Sequence, residues 1–248
     1  MNQENWAPFR RRPGARPLVL GHRGARAHAP ENTFAAFDEA LRQGAEGIEL
    51  DVRMTADGEL AISHDDAIEV LAAPHRVEIR RLSRAQLECT RLLSGERLPF
   101  LDQVLAWQKR TGALINVELK GDVPHPGWLA RRAVEAIEAH GGEGLLLSSF
   151  HWGQVRALAR ALPRLPVALL YHDEQTVVKR LVPWRRLGAS AVHPQRTLVS
   201  AEGVRRFHEQ GALVNVWTVN DVAEAQRFAD WGVDALITDS PRTLLSAL

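Results

Sequence analysis

The segment Gly47-Ile48-Glu49-Leu50-Asp51-Val52-Arg53 alternates strictly between aliphatic and charged side chains, and Leu114-Ile115-Asn116-Val117-Glu118-Leu119-Lys120 repeats the device. Successive side chains of a strand point to opposite faces, so Glu49, Asp51 and Arg53 share one face, and Asn116, Glu118 and Lys120 share one face of another strand. Three acids gathered on two strands need positive charge between them, because a buried charge without a partner is costly. Carboxylate oxygens from several elements suit a hard divalent cation, Mg²⁺ or Ca²⁺, better than zinc, which more often recruits histidine or cysteine. The plainer reading is that the acids simply pair with Arg53, Lys120 and Arg23.

Two histidines stand where predicted strands meet loops: His22 in Leu20-Gly21-His22-Arg23-Gly24 and His64 in Ile62-Ser63-His64-Asp65. Such a pair supplies what phosphodiester cleavage needs near neutral pH, one group to accept the nucleophile's proton and one to donate to the leaving oxygen. Arg23 and Lys120 can meet the phosphoryl charge, and a divalent cation can polarise a non-bridging oxygen. Trp217 shares a predicted strand face with Asn215 and is a candidate wall of the substrate pocket, with barrel packing as its alternative role. His193, before Pro194 at another strand end, is a secondary candidate.

The elements that must position these residues follow a strand-then-helix rhythm. Apolar runs at Leu18 to Leu20, Gly47 to Met54, Ala113 to Lys120, Leu145 to Ser149, Val167 to Tyr171, Ala189 to His193, Leu213 to Val219 and Ala235 to Thr238 read as eight strands. Most are separated by amphipathic stretches such as Asn32 to Gln43, where Asn32 or Thr33 can cap and Gly44 can end the helix. Asp57-Gly58 reads as a hairpin turn leading to an extra return strand, Leu60 to His64. Eight alternating units predict a single-domain (β/α)8 TIM barrel over residues 17–248, with a small β-hairpin ornament after strand 2. A doubly wound open sheet is the structural alternative, but no GxGxxG fingerprint follows a strand. Residues 1–16, basic and proline-containing, are expected to form a flexible tail.

The length of 248 residues and a 45% hydrophobic content suffice for one such barrel. The 31 basic and 30 acidic residues nearly cancel, which gives no reason to expect a nucleic-acid partner. Cys89 is the only cysteine, which excludes an intrachain disulfide and a multi-cysteine zinc site. No apolar stretch reaches signal-peptide length before the first strand or bilayer-spanning length anywhere, so the expectation is a soluble, cytoplasmic protein without a membrane span.

Taken together and in order, the motifs GHRGARAHAPENTFAAFDEALRQGAEGIELDVRMTADGELAISHDD, INVELK, LLSSF, VNVWTVND and GVDALITDSP resemble the glycerophosphodiester phosphodiesterase family. The resemblance runs from residue 21 to 241, and the compound pattern is specific where any one piece is weak. It implies metal-dependent hydrolysis of a small-molecule glycerophosphodiester to glycerol 3-phosphate and an alcohol, through a cyclic phosphate that water opens. It further implies His22 and His64 as general acid and base, Glu49, Asp51 and Glu118 as ligands of one Mg²⁺ or Ca²⁺, and Arg23 and Lys120 as phosphate contacts. The sequence departs from the family after His64-Asp65, where Asp66 to Arg76 lacks the usual leucine-containing stretch and arginine-threonine pair. That departure bears on substrate selection, and the chain otherwise looks like the compact bacterial cytoplasmic type. Two other readings are a lysophospholipase D-type phosphodiesterase acting on a longer lipid and a non-catalytic barrel that binds glycerophosphodiesters.

Overall fold

Eight of the apolar runs close into one parallel barrel. The computed structural model describes residues 3–71, 75–174 and 184–248. Its strands are β1 (Leu18–His22), β2 (Gly47–Met54), β3 (Leu60–Ile62), β4 (Ala67–Ile68), β5 (Val77–Glu78), β6 (Leu114–Leu119), β7 (Leu145–Ser149), β8 (Val167–Tyr171), β9 (Ala191–Pro194), β10 (Leu213–Val216) and β11 (Ala235–Thr238). Hydrogen bonding runs β1-β11-β10-β9-β8-β7-β6-β2 and returns to β1, with β3 antiparallel on the far end of β2. This is the predicted TIM barrel with its hairpin ornament. Among the described residues the α-helices are α1 (Phe34–Arg42), α2 (Arg84–Glu88), α3 (Leu101–Thr111), α4 (Pro126–His140), α5 (Trp152–Ala161), α6 (Ala201–Glu209), α7 (Val222–Asp230) and α8 (Pro241–Leu245). None of the described helices is long and apolar enough to cross a membrane.

Alternation decides what each strand face does. Ile48, Leu50, Val52, Ile115, Val117 and Leu119 join the main core between strands and helices, while the polar set of β2 and β6 turns inward and is also buried. Register then pairs the chemistry: His22 lies opposite Glu49 across β1 and β2, and Asp51 opposite Glu118 across β2 and β6. Gly47 makes that register possible, because a Cβ there would run into the Leu114 carbonyl oxygen of β6. Helix starts follow local chemistry, as where the Thr33 hydroxyl accepts from the Ala36 N–H at 3.3 Å and caps α1.

Two expectations change, and one short pairing was not foreseen. The strand predicted to Val219 ends at Val216, which leaves Trp217 just beyond β10. The two-residue strands β4, inside the unusual segment Asp66 to Arg76, and β5, just past it, pair with each other and are too short for any periodic signal; residues 72–74 of that segment lie outside the described ones. The flexible tail is corrected from residue 3 onward: Gln3–Phe9 forms a 3-10 helix whose Trp6 and Phe9 rings are buried against Leu146, Ala168, Ala191 and Leu213. Those residues line the interior near the strand starts, an apolar floor that two large rings cover, and the Arg11 N–H bonds Asp234 Oδ1 at 3.1 Å just behind them.

Candidate active site

At the carboxyl end of β1 the chain turns sharply, with Arg23 at φ 54° and Gly24 at φ 83°. The turn presents the Arg23 N–H to Glu49 Oε2 at 3.1 Å and sets the Arg23 guanidinium Nε 3.3 Å from Asp51 Oδ2. Lys120, just past β6, reaches Glu118 Oε1 at 3.0 Å and Asp51 Oδ1 at 3.3 Å. Glu49, Asp51 and Glu118 offer carboxylate oxygens within 4.8 Å of one another. Two oxygens on opposite sides of one Mg²⁺ or Ca²⁺ stand about 4 to 5 Å apart, so this spacing fits one hard cation.

The electrostatics favour such an ion. Burial, with the charges of Asp51 and Glu118, pushes the Glu49 carboxyl well above the usual range. Burial likewise pushes Glu118 up to about 7 against the opposing pull of Lys120. Asp51 is also buried, but Lys120 and Arg23 outweigh the desolvation and hold its carboxyl below the usual range. Three carboxyl groups against two cations leave the buried cluster short of positive charge, and Asn116 Oδ1 on the same inward face has no hydrogen-bond partner among the described residues. The plain ion-pair reading is therefore realised for Lys120 and Arg23 without satisfying Glu49. Arg53 does not pair with the trio at all; its partner is Asp122.

His22 Nδ1 bonds Asp239 Oδ1 at 2.7 Å, and its Nε2 stands 4.0 Å from Glu49 Oε2. Burial lowers the His22 pKa, with the Asp239 hydrogen bond opposing, so the ring is neutral at its Nε2 near pH 7. His64 Nδ1 bonds Asp65 Oδ1 at 2.8 Å. A cavity of about 220 Å³ brings His22, Arg23, Glu49, Asp51, His64, Glu118, Lys120 and Trp217 together, the candidates the sequence singles out apart from the secondary one, His193. Trp217 stands against Phe150, ring centroids 5.6 Å apart, and its indole N–H donates to the His193 carbonyl at 2.8 Å. A larger cavity of about 800 Å³ adjoins it, shares His64, Lys120, Phe150 and His172, and opens to solvent.

Sequence reasoning misses two residues here. Asn32, read as a possible cap, instead adopts φ 56° and donates from Nδ2 to Asp51 Oδ2 at 3.0 Å. Asp239 orients His22 and is itself held by Asn220 Nδ2 at 2.7 Å; its position just beyond β11 was the available signal, the same strand-end rule that found His22. His193 does not line the small cavity. It is fully buried, with Nε2 accepting from Asn215 Nδ2 at 2.9 Å and Nδ1 unpartnered among the described residues, and burial pushes its pKa down to about 3.

That value predicts acid sensitivity. An unfolded histidine takes a proton near 6.5 while folded His193 refuses it until about 3. The unfolded chain therefore binds more protons, and stability falls as pH drops through this window. Between pH 7 and 5 the wild type should lose roughly 2 kcal/mol more than His193→Gln, measured by urea denaturation in chelator. Parallel stability curves for the two proteins would show that His193 is not the buried neutral group.

The sequence profile of the glycerophosphoryl diester phosphodiesterase family matches residues 22–243. A glycerophosphodiester phosphodiesterase of Caldanaerobacter subterraneus subsp. tengcongensis is 33% identical over 241 residues, covering 92% of this chain and 96% of that protein. One from Bacillus altitudinis is 30% identical, with 90% and 94% covered. Among solved structures, an Oleispira antarctica phosphodiesterase in complex with the product sn-glycerol-3-phosphate superposes with a TM-score of 0.82 at 25% identity, covering 94% of this chain and 96% of that one.

Proposed function

Because the chain belongs to the glycerophosphoryl diester phosphodiesterase family, we propose that it hydrolyses a glycerophosphodiester to glycerol 3-phosphate and a free alcohol. Glu49, Asp51 and Glu118 would hold one divalent cation, Mg²⁺ or Ca²⁺, and His22 and His64 would move the protons. The observation that carries this reading is the convergence of both histidines and all three carboxylates on one small cavity. A cation held there would supply positive charge that stabilises the phosphoryl group.

The chain's own residues supply the rest. Arg23 and Lys120 line the same cavity and add positive charge toward the phosphoryl group. His22, neutral and oriented by Asp239, takes the proton of a glycerol hydroxyl as its oxygen bonds to phosphorus. His64 gives a proton to the alcohol oxygen as its bond to phosphorus breaks. The larger cavity begins at His64 and not at His22, which supports this division, since the departing alcohol needs room on the donor's side. Water then opens the cyclic phosphate with the two roles exchanged. Trp217 and Phe150 form an apolar wall suited to the glycerol carbons.

The size of the adjoining cavity, about 800 Å³, gives specific support to a second reading in which the substrate is a longer lipid, as for a lysophospholipase D. One assay tests both: purified protein, stripped by chelation, is given glycerophosphocholine, glycerophosphoglycerol and lysophosphatidylcholine with and without added Mg²⁺ or Ca²⁺. The expected result is metal-restored release of glycerol 3-phosphate from the short diesters. Preferential turnover of the lysolipid would favour the second reading, and no turnover with any metal would overturn the first.

A further inference from the structure

Arg53 is the third inward charge of β2, two residues past Asp51, and the proposed chemistry does not use it. Its side chain is 6% exposed. Nε donates to the His64 carbonyl oxygen at 2.8 Å, and one terminal nitrogen donates to both oxygens of Asp122 at 2.9 and 3.1 Å. One guanidinium thus ties together two loops that border the larger cavity, the loop carrying His64 and the loop that follows Lys120.

The two histidines are held very differently. His22 is fixed by Asp239, which Asn220 and Arg26 hold in turn. His64 has a side chain 37% exposed and bonds Asp65, itself half exposed and held by Arg76, which is also half exposed. The Ser63 N–H still bonds the Asp51 carbonyl at 2.9 Å, but β3 has ended, and the next tie from the barrel interior is the one Arg53 makes to the His64 carbonyl. The backbone from which the imidazole projects is thus held from the same strand that carries Glu49 and Asp51.

We propose that Arg53 is a positioning residue for His64, fixing the imidazole relative to the carboxylate cluster. The proposal rests on the reading of His64 as a proton-transfer group. A lysine would keep the charge but not the planar fork that reaches a carbonyl and a carboxylate at once, so Arg53→Lys separates charge from geometry. Displacements of about 1 Å at a reacting group cost on the order of 10²-fold in rate.

The test compares wild type, Arg53→Lys, His64→Ala and the double variant on a glycerophosphodiester at saturating metal. Arg53→Lys should lower kcat by up to ~10²-fold with KM little changed, and should cause no further loss in the His64→Ala background. Asp122→Asn, at an exposed partner, should show a smaller loss with the same dependence on His64, and it serves if Arg53→Lys does not fold. Equal losses from the arginine or aspartate change with and without His64 would overturn the proposal alone. Wild-type kcat in His64→Ala would overturn the histidine reading and this proposal with it.

Discussion

His22→Ala and His64→Ala are each expected to lower kcat by ~10²- to 10⁴-fold, the usual contribution of a positioned acid or base, while divalent-cation binding persists. The proposed cation ligands are carboxylates, and neither imidazole belongs to the cluster whose oxygens lie within 4.8 Å. A glycerol phosphodiester of p-nitrophenol separates the two roles, because an acidic leaving group needs little protonation. That substrate should restore much of the activity of His64→Ala and little of His22→Ala. If both histidines only anchored substrate, the losses would appear in KM with kcat preserved. Small, equal effects on both substrates would end the acid/base pairing even with the barrel and metal intact.

Glu118→Gln should remove most metal-dependent turnover, exceeding the ~10- to 100-fold that follows loss of a residue merely supporting a metal ligand. Its effect on the metal-free protein should run the other way. The Glu118 carboxyl titrates at about 7 in the folded chain, against the ordinary glutamate value of 4.5. The folded state therefore binds more protons between these values, and metal-free stability falls as pH rises through that window. Glutamine abolishes that cost and leaves Lys120 its contact with Asp51. Metal-free Glu118→Gln should thus be at least as stable as wild type at pH 8, with the difference shrinking toward pH 5, by thermal melts in chelator. Wild-type metal affinity and turnover in the variant would sink the assignment; collapse of the metal-free melt would mark Glu118 as structural.

Much of the barrel was legible because β2 and β6 advertise themselves twice, by apolar outer faces and charged inner ones. The same alternation exposed Glu49, Asp51 and Glu118, since an acid on a buried strand face has few structural reasons to be there. Asn32 was less legible: Asn and Thr adjoin at a helix start, both cap well, and only the fold shows Thr33 capping while Asn32 bends back to Asp51. Asp239 carries its role through His22, a contact 217 positions away that no local pattern encodes. The role of Trp6 and Phe9 was hidden because basic and proline residues around them outweigh two aromatic rings in any reading of composition.

The ring pair that covers the barrel floor also fixes the molecule's polarity as an object. Trp6 and Phe9 meet the strand starts, whereas His22 ends its strand and Lys120 and Trp217 sit just past theirs, so residues 3–9 and the reaction site occupy opposite poles. A support or fusion partner joined through that first helical turn would hold the enzyme mouth outward, its substrate entrance unobstructed. The same attachment would pull directly on the floor, so mechanical load applied there would be borne by the interior packing of the barrel and not by the loops that carry the chemistry.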